Sequence, residues 1–169
     1  MKNIFLIGLP ASGKSTFGKS IAEALSLKHV DLDQAIEAKT NKSISAIFKL
    51  YGEKYFREIE RDILHGLLDR SNTEIISCGG GTPCFYDNMS RMNAEGLTIF
   101  LDISVAVIVK RAVENHNRPL LKDKNLEETL IQLRSERIKY YQQANLIINE
   151  THAIEEIIKK IQIYLKIES

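Results

Sequence analysis

Apolar positions along this chain fall into short runs rich in β-branched residues, separated by longer stretches with helical periodicity. Residues 3–8, 29–33, 74–78, 97–102 and 144–149 are expected to form strands. The first and fourth runs are nearly continuous in apolar character, as in strands covered on both faces of a parallel sheet. Residues 14–25, 34–39, 53–69, 104–115, 126–143 and 152–166 carry the spacing of amphipathic helices. Such alternation predicts an α/β sandwich with helices on both faces of the sheet. No repeat, low-complexity tract or Pro/Gly/Ser-rich linker divides the chain, so residues 1–169 are expected to form one domain.

One loop between these elements carries specific chemistry. Gly8-Leu9-Pro10-Ala11-Ser12-Gly13-Lys14-Ser15 matches G-x-x-x-x-G-K-[ST] at every fixed position, after the first strand and at the start of the first helix. Its glycines let backbone N–H groups turn toward phosphate oxygens, and the helix N-terminus faces the same charge. Lys14 is placed to reach the β- and γ-phosphates, and Ser15 to bind Mg²⁺. Nucleotide binding follows; the reaction does not.

Helical wheels, at about 100° per residue, reveal charged side chains on apolar faces. In the helix over 53–69, Arg57 and Glu60 fall within the arc of Phe56, Ile59, Ile63, Leu64, Leu67 and Leu68. They form either a salt bridge at the helix edge or a ligand-facing guanidinium oriented by a carboxylate. In the helix over 126–143, Arg137 lies among Leu126, Leu130, Leu133, Tyr140 and Tyr141. An inward arginine calls for an anion, from the protein or from a substrate. Two of them suggest one anionic acceptor.

Asp31 and Asp33 end the second strand and are expected to share one of its faces beside the phosphate loop. Asp33 is either the N-cap of the next helix or a group accepting a proton from a substrate hydroxyl. Asp31 is a candidate to hold Mg²⁺, and Asp102 is either its competitor for that role or a helix cap. Gly79-Gly80-Gly81 exceeds the needs of one turn and suggests close approach of a ligand to backbone. Arg118, in the polar stretch 115–125, is either a surface residue or an arginine closing over phosphate.

Charge and cysteine content narrow the partners. Lys and Arg total 23 against 22 Asp and Glu, a formal net charge of +1. That balance disfavours nucleic acid but leaves small anions open. No apolar run reaches membrane-span length, and no secretory signal is expected. Cys78 and Cys84 provide no disulfide framework, so a reducing cytoplasm fits.

Taken in order, the phosphate loop, Asp31-x-Asp33-x-x-Ile36-Glu37, Phe56-Arg57-x-x-Glu60, Gly79–Gly81, Arg111 with Arg118-Pro119-Leu120, and Arg137 with Tyr140 resemble the shikimate kinases. These belong to the nucleoside monophosphate kinase-like P-loop fold, and the likeness spans residues 1 to about 149. The resemblance implies a five-stranded parallel sheet of order 2-3-1-4-5, an acceptor-binding part at about 33–60 and a lid at about 112–124. It implies transfer of phosphate from Mg·ATP to the 3-hydroxyl of shikimate by a cytoplasmic monomer in aromatic amino-acid biosynthesis. By matching position, Gly8, Pro10, Ala11, Ser12, Gly13, Lys14, Ser15, Thr16, Arg111 and Arg118 would bind ATP, with Ser15 and Asp31 on Mg²⁺. Asp33, Arg57, Glu60, Gly79, Gly80, Gly81, Arg118 and Arg137 would hold shikimate, while Asp33, Lys14 and Arg118 would act in catalysis.

Two features depart from the family pattern. Lys139 replaces a frequent proline, and residues 149–152 lack the arginine and proline often found near adenine. Other readings consistent with the loop alone are a gluconate or nucleoside monophosphate kinase, or a non-catalytic nucleotide-binding module.

Overall fold

A computed structural model describes residues 3–70, 72–114 and 126–167. Five strands, β1 (Asn3–Ile7), β2 (Lys28–Asp31), β3 (Glu74–Ser77), β4 (Gly96–Leu101) and β5 (Leu146–Ile148), form one sheet. Their order is β2-β3-β1-β4-β5 and every pairing is parallel, as expected. Strands β1, β3 and β4 are buried along their whole length, whereas β2 and β5 lie at the edges and are partly exposed. The two near-continuous apolar runs are thus β1 and β4, with both faces covered, and β3 is buried beside them without such a run. Among the described residues, no helix is long and apolar enough to cross a membrane.

Helices α1 (Lys14–Leu25), α2 (Leu32–Thr40), α3 (Ile44–Leu68), α4 (Asn88–Glu95), α5 (Val105–Glu114), α6 (Leu126–Tyr141) and α7 (Ile154–Ile167) cover the sheet. The spacing gives α1 its full observed extent. Helix α3 is longer than expected and has non-helical backbone at Gly52 (φ 79°, ψ 175°). Its expected portion begins immediately after that break. Helix α4 carries few apolar residues, with Met89 and Met92 buried, and periodicity does not reveal it. Helix α6 continues through Lys139 to Tyr141, as the absence of a proline permits.

One expectation is corrected. Strand β2 ends at Asp31, and Asp33 lies in the first turn of α2 rather than on the strand. Asp31 is the N-cap, its Oδ1 accepting from Gln34 N at 3.2 Å. The cap satisfies one of the first-turn N–H groups that the helix leaves without an intrahelical partner. Arg118 and residues 115–125 lie outside the described residues.

The parallel order places the C-terminal ends of β1, β2, β3 and β4 along one edge, where their loops converge. Leu6, fully buried in central β1, anchors that edge. Leu6→Ala is expected to lower unfolding free energy by about 2–5 kcal/mol, measured by urea denaturation.

Candidate active site

The phosphate loop takes its shape from its packing. Gly8 has φ 144°, and a Cβ there would stand 2.8 Å from the Leu101 carbonyl oxygen of β4. Only glycine permits both the angle and the approach. At the end of the loop, the Lys14 ammonium donates to the Gly8 carbonyl at 3.1 Å and the Leu9 carbonyl at 2.7 Å. Burial lowers its pKa to about 8. The Ser15 hydroxyl donates to Asp31 Oδ2 at 2.6 Å, bringing the two proposed metal-binding oxygens together.

Two clefts share this loop. One, of about 460 Å³, is bordered by Ala11, Ser12, Gly13 and Thr16 and by Arg111, Asn149, Glu150 and His152. Although residues 149–152 lack the family's frequent arginine and proline, Asn149, Glu150 and His152 line this cleft. The Asn149 side chain organises the turn, its Oδ1 accepting from Thr151 N at 3.1 Å. The other cleft, of about 310 Å³, is bordered by Pro10, Lys14, Ser15, Asp31, Asp33, Gly79 and Gly80. Phosphate loop, paired aspartates and glycine run therefore share one cavity.

The glycine run shows why side chains are excluded there. A Cβ on Gly81 would collide with the Arg57 guanidinium. One on Gly80 would lie 2.9 Å from Pro10 Cδ and 3.1 Å from Arg137 Nη1, and one on Gly79 3.1 Å from Asp33 Oδ1. Its carbonyls are tied back into the protein. Gly79 O accepts from Thr82 N at 3.1 Å, Gly81 O from Cys84 N at 2.8 Å, and Gly80 O from the Tyr141 hydroxyl at 2.5 Å.

Arg57 and Glu60 meet across one turn of α3. They form a salt bridge, Nη1 to Oε2 at 2.7 Å, but it is buried rather than at a solvated helix edge. Glu53 adds a second carboxylate, 3.2 Å from Nη2, and the guanidinium stands 4.1 Å from the Phe85 ring centre. Arg137, on α6, is half-buried and faces Gly80. Among the described residues it has no carboxylate within ion-pair distance. Asp102 is instead engaged by Arg134, Nη1 to Oδ1 at 2.5 Å.

Sequence periodicity missed Thr82 and the specific part played by Tyr141. Thr82 is fully buried and donates to Glu60 Oε1 at 2.6 Å. Tyr141 stood on the apolar face of its wheel, yet that pattern does not show that its hydroxyl holds Gly80. Glu53 was also missed, although its place four residues before Arg57 on one helix was a signal for it.

Burial, with the carboxylates of Asp31 and Glu60, raises the Asp33 pKa to about 6 despite Lys14. A native pKa above the unfolded value means that the folded chain binds more protons between the two. Stability then falls as pH rises from about 4 to about 6. Asp33→Asn is expected to melt at higher temperature than the wild type at pH 8. The difference should shrink toward pH 4 in thermal scans across that range.

The site agrees with wider similarity. Residues 10–166 match the family model described as shikimate kinase. A shikimate kinase of Clostridium botulinum (strain Okra / Type B1) is 41% identical over 168 residues, covering 98% of each chain. The crystal structure of shikimate kinase from Bacteroides thetaiotaomicron has a TM-score of 0.87 and 37% identity, covering 98% of both chains. Shikimate kinase from Acinetobacter baumannii, solved in complex with shikimate, has a TM-score of 0.83 and 31% identity. That match covers 98% of this chain and 94% of the other. With the phosphate loop, the paired aspartates and the inward arginines in one fold, this chain belongs to the shikimate kinase family.

Proposed function

We propose that the protein transfers the γ-phosphoryl group of ATP to the 3-hydroxyl of shikimate, giving 3-phosphoshikimate and ADP. The observation that carries this reading is the pair of guanidinium groups beside Gly80 and Gly81, one held by Glu60 and one with no carboxylate partner among the described residues. Together they suit a single carboxylate, which can bind bidentately and fix the acceptor's orientation. Asp33 borders the same cavity as Lys14, so a hydroxyl on that acceptor can lie between base and phosphate.

In this reading Gly8, Pro10, Ala11, Ser12, Gly13, Lys14, Ser15 and Thr16 hold the nucleotide's phosphates, and Arg111 lies along its base. Asp33 accepts the hydroxyl proton as the new O–P bond forms and the bond from the γ-phosphorus to the ADP oxygen breaks. Lys14 and Arg118 offset the charge gathered on the phosphoryl oxygens. The Ser15 hydroxyl and Asp31 carboxylate are hard oxygen donors placed together, a set that fits Mg²⁺. When bound, Mg²⁺ would neutralise phosphate charge. The reading includes a lid over about 112–124 and a cytoplasmic enzyme acting as a monomer.

ADP release measured separately with shikimate, gluconate and nucleoside monophosphates tests the acceptor. Turnover with shikimate is expected, and release with none of them would instead favour a binding module. Arg57→Ala should weaken acceptor binding by about 2–4 kcal/mol, read from KM for shikimate. An unchanged KM would remove Arg57 from that role. In the wild type, kcat/KM for ATP should rise as Asp33 deprotonates near pH 6 and fall as Lys14 deprotonates near pH 8. Asp33→Asn should abolish the acidic limb.

A further inference from the structure

We infer that Thr82 is a positioning residue for the acceptor: its hydroxyl holds Glu60 so that Arg57 is presented to the acceptor's carboxylate. The inference deepens the proposed function and rests on that reading of Arg57.

Glu60 is fully buried, where each carboxylate oxygen needs a donor. One oxygen accepts from Arg57 Nη1 at 2.7 Å and the other from the Thr82 hydroxyl at 2.6 Å. A hydroxyl has one proton to donate. Thr82 directs it to Glu60, although Asp33 is close by: a Cβ on Gly79 would lie 3.1 Å from Asp33 Oδ1, 3.1 Å from Glu60 Oε1 and 3.2 Å from Thr82 Oγ1. The donor thus satisfies the positioning carboxylate and leaves Asp33 free to act on an acceptor hydroxyl.

Thr82 is itself held from both sides. Its N–H donates to the Gly79 carbonyl at 3.1 Å, and its carbonyl accepts from Asn88 Nδ2 at 3.0 Å. Asn88, at the start of α4, is also fully buried. A buried chain therefore runs from Asn88 through Thr82 and Glu60 to Arg57. Without the hydroxyl, Glu60 Oε1 would lack its donor and the carboxylate would turn in search of another. That turn loosens Arg57 while leaving the phosphate loop untouched.

Thr82→Val keeps the side-chain shape and removes the hydroxyl, whereas Thr82→Ser keeps the hydroxyl. Steady-state kinetics with shikimate and ATP varied separately, beside melting temperatures, compare both with the wild type. Thr82→Val should raise KM for shikimate about tenfold, the scale of a lost hydrogen bond to a charged group, with KM for ATP unchanged. Thr82→Ser should stay near the wild type. An unchanged KM for shikimate in Thr82→Val, a joint rise in both KM values, or a Ser variant no better than Val would overturn the inference. If Val prevents folding, Thr82→Ala replaces it in the same comparison. If the wild type turns over gluconate or a nucleoside monophosphate instead, the shikimate reading fails, and KM for that acceptor decides the role of Thr82.

Discussion

A carboxylate removed wholly from water must have partners, and Glu60 governs much of the site through that requirement. Its two oxygens take Arg57 and Thr82, fixing a helix and a loop relative to one another. With Arg57 held inward, its guanidinium occupies the space a side chain at Gly81 would need. The glycine run, the short turn at Thr82–Cys84 and the start of α4 are arranged around this buried charge. Breaking the pair would strand a charge in the interior, which costs far more than loss of an exposed ion pair.

The remaining charges are balanced around the phosphate loop rather than neutralised by it. Burial moves Lys14 and Asp33 in opposite directions along the pH scale, each toward its uncharged form. Both shifts are costs carried by the folded chain, as expected where a site is prepared for a charged ligand at some expense of stability. A net charge of +1 hides this arrangement, because Lys14, Arg57 and Arg137 are locally opposed by Asp31, Asp33 and Glu60.

Patterns confined to one element were the most legible in the sequence. Strands β1 and β4 showed themselves by nearly continuous apolar runs, α1 by its whole span, and Arg57 and Glu60 by standing on an apolar helix face. Position between elements was not legible. Asp33 was expected on a strand because alternation assigns faces, but the Asp31 cap started the helix two residues earlier. Helix α4 was missed because its buried face rests largely on two methionines. Thr82 and Tyr141 could be seen as residues but not as partners of Glu60 and Gly80, since 22 and 61 positions separate the bonded pairs.

The sequence by itself determined the alternating architecture, the phosphate loop and the presence of charged groups on otherwise apolar helix faces. These follow from spacing over a few residues, where backbone geometry dictates which side chains share a face. Tertiary structure alone decided that Arg57 would be paired and enclosed while Arg137 kept no carboxylate partner among the described residues. It also decided that the glycine carbonyls would be tied to the 3-10 turn and to Tyr141. Burial and long-range hydrogen bonding are properties of surfaces brought together by folding, and local spacing does not contain them.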